Sequence, residues 1–428
     1  MALVFEGKRW EAVRLGEIAE FRNGLNFTKS NFGTGLKVIG VRDFQDYSVP
    51  RYESLDEINP AGIAYEDSLL RNNDILFVRS NGNRDLIGRS LFITALAENV
   101  SHSGFTIRLR FPSTKIFPRF YAYLFRTSAV RQTLSAYGGG TNINNLNQKI
   151  LAELQIPLPP LIVQEKIAAI LSAYDDLIEN NLRRIKMLEE TAQTIYREWF
   201  VKFRFPGHQK VKMVNSPLGK IPEGWKIGNI DDLVNICSGF AFKSSTFVDI
   251  AKYKLITIKN VKDGAFVDES DSQIEEIPRS MPDHCFLHSG DILLSLTGNV
   301  GRACLVFGQN FLMNQRVAKL VPRKVTNRSF IYFMFREADL QKKLEMISTG
   351  VAQQNLSPIL MGKMKILIPP EDILDGFSSI GEPMCEGIIS LCLRNRNLRQ
   401  TRDLLLPKLI SGELDVSELD ITIPEANA

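Results

Sequence analysis

The chain is written twice, and no other feature narrows its possible folds as much. Trp10, Leu15, Glu17, Ile18, Gly24 and Phe27 recur in order as Trp225, Ile230, Asp232, Leu233, Gly239 and Phe242, a constant offset of 215 residues. Val38-Ile-Gly-Val-Arg-Asp43 is echoed by Leu255-Ile-Thr-Ile-Lys-Asn260, and Asp74-Ile-Leu76 by Asp291-Ile-Leu293, both at 217. Ile87-Gly-Arg89 returns as Val300-Gly-Arg302. Further on the offset settles at 210, where Phe125-Arg126 matches Phe335-Arg336 and Ile156-Pro-Leu-Pro-Pro160 matches Ile366-Leu-Ile-Pro-Pro370. Such small drifts place insertions in loops. A module of about 200 residues, used twice, predicts two tandem domains with separate cores.

The first part of each module mixes strands and short helices. Val38–Val41, Ile75–Val78, Leu91–Ala95 and Thr106–Leu109 are apolar or β-branched runs bounded by Gly, Asn and Asp, the pattern of strands. Phe120–Leu134 carries apolar residues at helical spacing, and Phe330–Leu344 repeats it.

After Pro159-Pro160 the pattern changes. Between Val163 and about Val201 there is neither Pro nor Gly, and Ile167, Ile170, Leu171, Tyr174, Leu177, Ile178, Ile185, Leu188, Ala192, Ile195 and Trp199 form a stripe interrupted by an inward Asn181. That is a long amphipathic helix in need of a partner, roughly 57 Å long if it holds about 38 residues. The matching stripe near the C-terminus runs from Phe377 to Leu409. Gly381 and Pro383 predict irregular first turns there, and Ser411-Gly412 predicts the stop. The expected fold is therefore α+β: two tandem pseudo-repeated mixed α/β domains separated by two long helices that form an antiparallel coiled coil, with Asn181 specifying register. The expected boundaries are domains at 1–158 and 225–368, long helices at 159–201 and 369–415, a linker at 202–224 and a tail at 416–428. The linker holds Lys202, Arg204, Lys210, Lys212 and Lys220 and three prolines, and reads as extended. It would either touch a phosphate backbone or remain a solvated connection.

Composition excludes more than it selects. Charged residues make up 23% and hydrophobic ones 44%, an ordinary soluble balance, and a net charge of +4 permits nucleic-acid binding without demanding it. No apolar run approaches the roughly 20 residues of a membrane span, and MALVFEGKRW lacks the apolar core of a secretory signal, so a cytoplasmic location is expected. The five cysteines include no Cys-x-x-Cys pair and read as reduced packing residues. A zinc site at Cys285, His284 and His288 would need ligand spacing of no common kind. Phosphate-binding loops, an Asn/Asp-Pro-Pro-Tyr/Phe tetrad and a plausible His-based triad are all missing from the sequence; Asn59-Pro60-Ala61-Gly62 lacks the second proline and the ring.

Four stretches together resemble a known family. They are Trp10-x4-Leu-Gly-Glu-Ile18, Ile156-Pro-Leu-Pro-Pro160, Gln164-Glu-Lys-Ile167 and Ile221-Pro-Glu-Gly-Trp225. In this order, over essentially the whole chain, they look like HsdS, the specificity subunits of Type I restriction–modification systems. The second copy departs from the pattern, with Pro369-Pro-Glu-Asp372 and no Gln-Glu dyad. The resemblance implies two target recognition domains, each reading one half of a split, non-palindromic site on double-stranded DNA. It implies helices that dock two methyltransferase subunits, with Gln164, Glu165, Ile167 and Tyr174 on the docking surface, and restriction subunits joining that complex. The chain itself would hold no cofactor and no metal and would do no chemistry. S-adenosylmethionine for adenine N6 methylation, and ATP and Mg for translocation, would belong to the partners.

Base edges are read by donors and acceptors on exposed loops. Three loop positions per module fit. Arg79, Ser80, Asn81, Asn83 and Arg84 face Thr297 and Asn299 in the repeat. Thr141, Asn142 and Asn144 face Gln353 and Gln354. Arg42 faces Lys259 and Asn260. Each set also reads as ordinary polar turns, a helix-capping connection or solvated surface. If the helices set the spacing, the half-sites lie roughly one to one and a half DNA turns apart. The other readings left open are a Type IIB-like system, an unfamiliar nuclease or methyltransferase, and a coiled-coil scaffold unrelated to DNA.

Overall fold

The computed structural model describes residues 10–44, 48–63, 65–81, 83, 86–137, 146–348 and 355–423. The chain divides into two compact units, Met1–Asp176 with Leu398–Ala428, and Leu177–Asn397. Two long helices, Leu161–Tyr196 and Glu371–Ser411, each contribute one segment to each unit.

In the first unit four antiparallel strands lie in the order Glu20–Asn23, Thr106–Arg110, Ile75–Val78, Ser90–Phe92. A second sheet pairs Phe32–Ile39 with Asp56–Ile58 and, in parallel, with Val100–His102. Ile75–Val78 is buried at every residue, as a continuous apolar run predicts for a strand covered on both faces. The core gathers Phe77, Leu109, Phe120, Phe125 and Leu134 against Ile167 and Leu171 of the first long helix and Leu409 and Ile410 of the second.

The second unit repeats the plan. Val234–Ser238, Val317–Pro322, Ile292–Ser295 and Ala303–Leu305 form the antiparallel sheet, and Tyr253–Ile256 runs parallel to Phe311–Met313 in the other. The repeated Asp-Ile-Leu has a structural cause in both. Asp74, 1% exposed, accepts from Arg71 N at 2.7 Å and holds Arg110 of the neighbouring strand by two contacts of 2.6 and 2.7 Å. Asp291 accepts from His288 N at 2.8 Å and pairs with Lys319 at 2.7 Å. The repeated Gly88 and Gly301 both stand at positive φ, where only glycine is unstrained, and a Cβ on Gly88 would strike Leu134 at 2.8 Å.

Three expectations are corrected. The helical stretch Phe120–Leu134 is two helices, Pro118–Arg126 and Ser128–Tyr137. Thr127 turns extended between them and donates its hydroxyl to Leu124 O, so one residue ends one helix and starts the next. The segment 202–224 is folded, not extended. A hairpin pairs Met213–Ser216 with Gly219–Pro222, Phe205 and Ile221 enter the core, and Lys202 and Arg204 are held by Glu198. The first turns of the second long helix are regular despite Gly381 and Pro383. Gly381 admits the start of helix Arg328–Phe335, since a Cβ there would lie 2.8 Å from Ser329, and Glu382 accepts from Ser329 N at 2.7 Å. Gly412, at φ +75° beside the Trp10 ring, stands where the stop was expected.

Candidate nucleic-acid interface

In each unit, loops far apart in sequence are lashed together at one end of the antiparallel sheet by the same backbone hydrogen bonds. In the first unit Leu25 N donates to His102 O (2.7 Å), Arg79 N to Phe105 O (2.8 Å), Leu146 N to Arg79 O (2.8 Å) and Ser103 N to Ile39 O (3.0 Å). In the second, Phe240 N donates to Met313 O (2.9 Å), Leu296 N to Arg316 O (3.0 Å), Leu356 N to Leu296 O (2.8 Å) and Asn314 N to Ile256 O (2.9 Å). The repeated glycine at the end of the first strand is what lets the loops close. A Cβ on Gly24 would lie 2.2 Å from His102 O, and one on Gly239 2.1 Å from Asn314 O.

The scaffold is shared, and the side chains on it differ. The first unit presents Arg79, whose Nη1 donates to Gly104 O at 3.3 Å, with Ser80, Asn81 and a 62% exposed Phe105. Asn81 Oδ1 accepts from Asn83 N at 2.7 Å, which shapes the turn. The second unit presents a pocket of about 340 Å³ lined by Leu296, Thr297, Gln315, Arg316 and Asn355. Thr297 is bridged to Asn355, and its buried hydroxyl has no hydrogen-bond partner among the described residues. Next to the first set, His102 is buried with Nδ1 2.8 Å from Thr106 Oγ1. Burial first, and then the charges of Arg108, Arg110 and Arg22, push its pKa down to about 3.

Of the residues singled out from sequence, Arg79, Ser80, Asn81 and Thr297 stand in these loop clusters. Arg84, Thr141, Asn142, Asn144, Gln353 and Gln354 lie outside the described residues. Arg42 and Lys259 are exposed but carry acidic partners, Asp56 at 2.7 Å and Asp271 at 3.0 Å. Asn260 is corrected from a reader to a structural residue. It is 3% exposed, and its amide caps its own turn at Thr257 N and donates to Val267 O and Glu269 O, leaving nothing for a base. Asn299, with its amide oxygen toward Arg302, accepts from both guanidinium nitrogens at 3.0 and 3.2 Å.

Gln164 and Ile167 are likewise corrected. Both are fully buried, and Gln164 Oε1 accepts from Phe117 N while Nε2 donates to Pro159 O, each at 2.8 Å. Gln164 pins the Pro-Pro turn to the domain, Ile167 packs in the core, and both are closed to a partner. Glu165 and Tyr174 remain partly exposed.

Sequence reasoning missed the turns Ser103–Phe105 and Asn314–Arg316, which supply the centre of each cluster. The usable signal was the pair Phe105-Thr106 and Arg316-Val317: a bulky exposed residue before an aligned strand, differing in kind between copies.

The model for the Type I restriction modification DNA specificity domain matches residues 7–190 and 222–382. The chain is 27% identical over 421 residues to the Type I restriction enzyme MjaIX specificity subunit of Methanocaldococcus jannaschii, covering 96% of this chain and 95% of that one. It is 28% identical over 255 residues to the MjaVIII specificity subunit of the same organism, covering 58% and 59%. Among solved structures it shares its fold with the S subunit of a Type I restriction–modification system from M. genitalium, at a TM-score of 0.56 and 15% identity over 94% of this chain and 96% of that one.

Proposed function

Because the chain belongs to the Type I restriction–modification DNA specificity family, we propose that each of its two units reads one half of an asymmetric, split DNA site. As a member of this family the chain is a specificity subunit, a non-catalytic one, and sequence recognition in DNA is its role. The observation that supports the finer reading is the pair of loop clusters: one backbone scaffold, two different sets of donors and acceptors. Arg79 with Asn81, against Gln315 with Arg316 and Asn355, would present different hydrogen-bond codes to a major groove.

The long helices are read as an antiparallel coiled coil. In the second unit Asn181 meets Asn395 and Leu188 meets Gly387, and in the first Asp175 takes Arg402, so that advancing along one helix means retreating along the other. Their remaining exposed face, with Leu177 and Met187, would dock two methyltransferase subunits that hold S-adenosylmethionine and modify adenine N6. Restriction subunits using ATP and Mg would join through that complex, in the cytoplasm. No helix among the described residues is long and apolar enough to cross a membrane.

The test is co-expression with the adjacent methyltransferase gene in a methylation-free host, mapping modified adenines with and without this chain. One split motif, methylated only when the chain is present, is expected. Exchange of residues 1–158 for another reader should change one half of it. Methylation that is absent, or indifferent to this chain, would overturn the proposal.

A further inference from the structure

The motif Ile221-Pro-Glu-Gly-Trp225 and the departing Pro369-Pro-Glu-Asp372 have no part in the loop clusters, yet the second unit brings them together. They form one cavity of about 380 Å³, with Trp199, Phe205 and Trp225 among its walls and Glu223 and Asp372 among its lining residues. The construction is local. Trp225 N donates to Pro222 O at 3.2 Å, closing a turn in which Gly224 takes φ +89° and leaves Glu223 exposed. Trp225 is gripped by rings, edge-on to Phe203 at 5.2 Å and near Phe205 at 5.9 Å, while its buried Nε1 has no hydrogen-bond partner among the described residues. On the second long helix, Gly376 leaves the backbone open beside the Trp199 ring, 3.6 Å from where a Cβ would stand.

Charge decides what fits. Both carboxylates are exposed, and among the described residues neither has an ion pair or a side-chain hydrogen bond. Lys324 is held by Glu371, the residue before Asp372, and no basic residue is among those lining the cavity. A cavity with indole walls and two unpaired carboxylates repels phosphate and attracts a cation. Between the two cationic side chains, a guanidinium is planar, stacks on an indole face and can donate to two carboxylates at once, whereas an ammonium is a strongly hydrated point charge. A rigid, ring-packed wall is also the setting of binding hot spots, in which arginine and tryptophan are enriched.

We propose that this cavity is a socket for an arginine side chain of a partner polypeptide. The inference rests on reading the chain as one subunit of an assembly. It is independent of which bases the loops read.

Two of the three tryptophans line the cavity, which provides the readout. The full chain, labelled with 15N at the indole nitrogens, is titrated with the peptide acetyl-Gly-Arg-Gly-amide and with its citrulline counterpart, which is the same shape without the charge. The expected result is saturable shifts of the Trp199 and Trp225 signals with a Kd on the order of millimolar, and an unmoved Trp10. Citrulline should bind at least about tenfold more weakly, and the double variant Glu223→Gln/Asp372→Asn should lose arginine binding by a similar factor while melting at the same temperature. These are exposed side chains, so the fold survives their change. No shift with the arginine peptide, equal binding of citrulline, or undiminished binding by the double variant would overturn the proposal. Equal binding of a lysine peptide would overturn the choice of guanidinium. Because no DNA is present, either outcome stands apart from the methylation test.

Discussion

Asn181 Nδ2 donates to Asn395 Oδ1 at 2.8 Å across the two long helices, in a position where both side chains are buried, and Asn395 Nδ2 reaches Ile178 O at 3.4 Å. A buried amide pair of this kind is satisfied only in one register, since sliding either helix by a turn would leave two amides unpaired in an apolar seam. Replacing one of them with leucine, as Asn181→Leu, should destabilise the second unit by about 1–3 kcal/mol, the cost of one orphaned buried amide. The double change Asn181→Leu/Asn395→Leu should recover most of that loss. A double-mutant cycle read from urea melts checks it; additive losses would mean that the two side chains do not act as a pair.

Gln164 should behave as a structural residue. Gln164→Ala leaves Phe117 N and Pro159 O without their partner inside the first unit, at a cost of about 1–3 kcal/mol, whereas Glu165→Ala should change stability by less than about 0.5 kcal/mol. Differential scanning calorimetry of the two variants separates them.

The Asp74–Arg110 pair makes a sharper demand. Asp74→Ala removes both carboxylate contacts of the Arg110 guanidinium, leaving it Leu69 O at 3.3 Å, and removes the cap of Arg71 N, so a loss of about 3–5 kcal/mol is expected, seen as a fall in the urea midpoint or as failure to accumulate. A neutral result would show that water reaches Arg110.

Acid should weaken the first unit through His102. Its folded pKa, near 3, lies below the ordinary value of 6.5, so the unfolded chain takes up the proton first as pH falls. The stability tied to a neutral His102 is intact above about pH 6.5 and is lost at about 1.4 kcal/mol per pH unit on the way down toward 3. The variant His102→Asn should show a flatter dependence of melting temperature on pH between 6.5 and 4.5 than the parent chain. Parallel curves would place the acid sensitivity elsewhere.

In the second unit Gln315 belongs to the pocket beside Thr297 and Asn355. Under the proposed function, Gln315→Ala should relax discrimination at one base position by about 1–3 kcal/mol and leave the salt dependence of binding unchanged, because no phosphate contact is lost. Fluorescence anisotropy on single-base variants of the methylated motif, across a range of salt, provides the check. A uniform loss over all sequences would instead make Gln315 a positioning residue.

Duplication, two long helices and a mixed domain ahead of each could be read from residues alone, because each is carried by order and periodicity along the chain. Asp74 and Asp291, Gly88 and Gly301, and the inward Asn181 were visible for the same reason: a backbone or packing need repeats wherever the module repeats. The assembly of the loop clusters was not visible in this way. Ser103–Phe105 reaches Arg79 and Leu25 only through hydrogen bonds between segments dozens of residues apart, and no local pattern reports such a closure. Asn260 and Gln164 show the converse. Their amides have the chemistry of readers and docking groups, but each is consumed inside the fold by backbone groups that would otherwise be buried unpaired. Sequence alone thus determined what kind of chain this is and that one module is used twice in it. Only the tertiary structure decided which polar side chains remain free to act, because the backbone must be satisfied before any side chain can be offered to a partner.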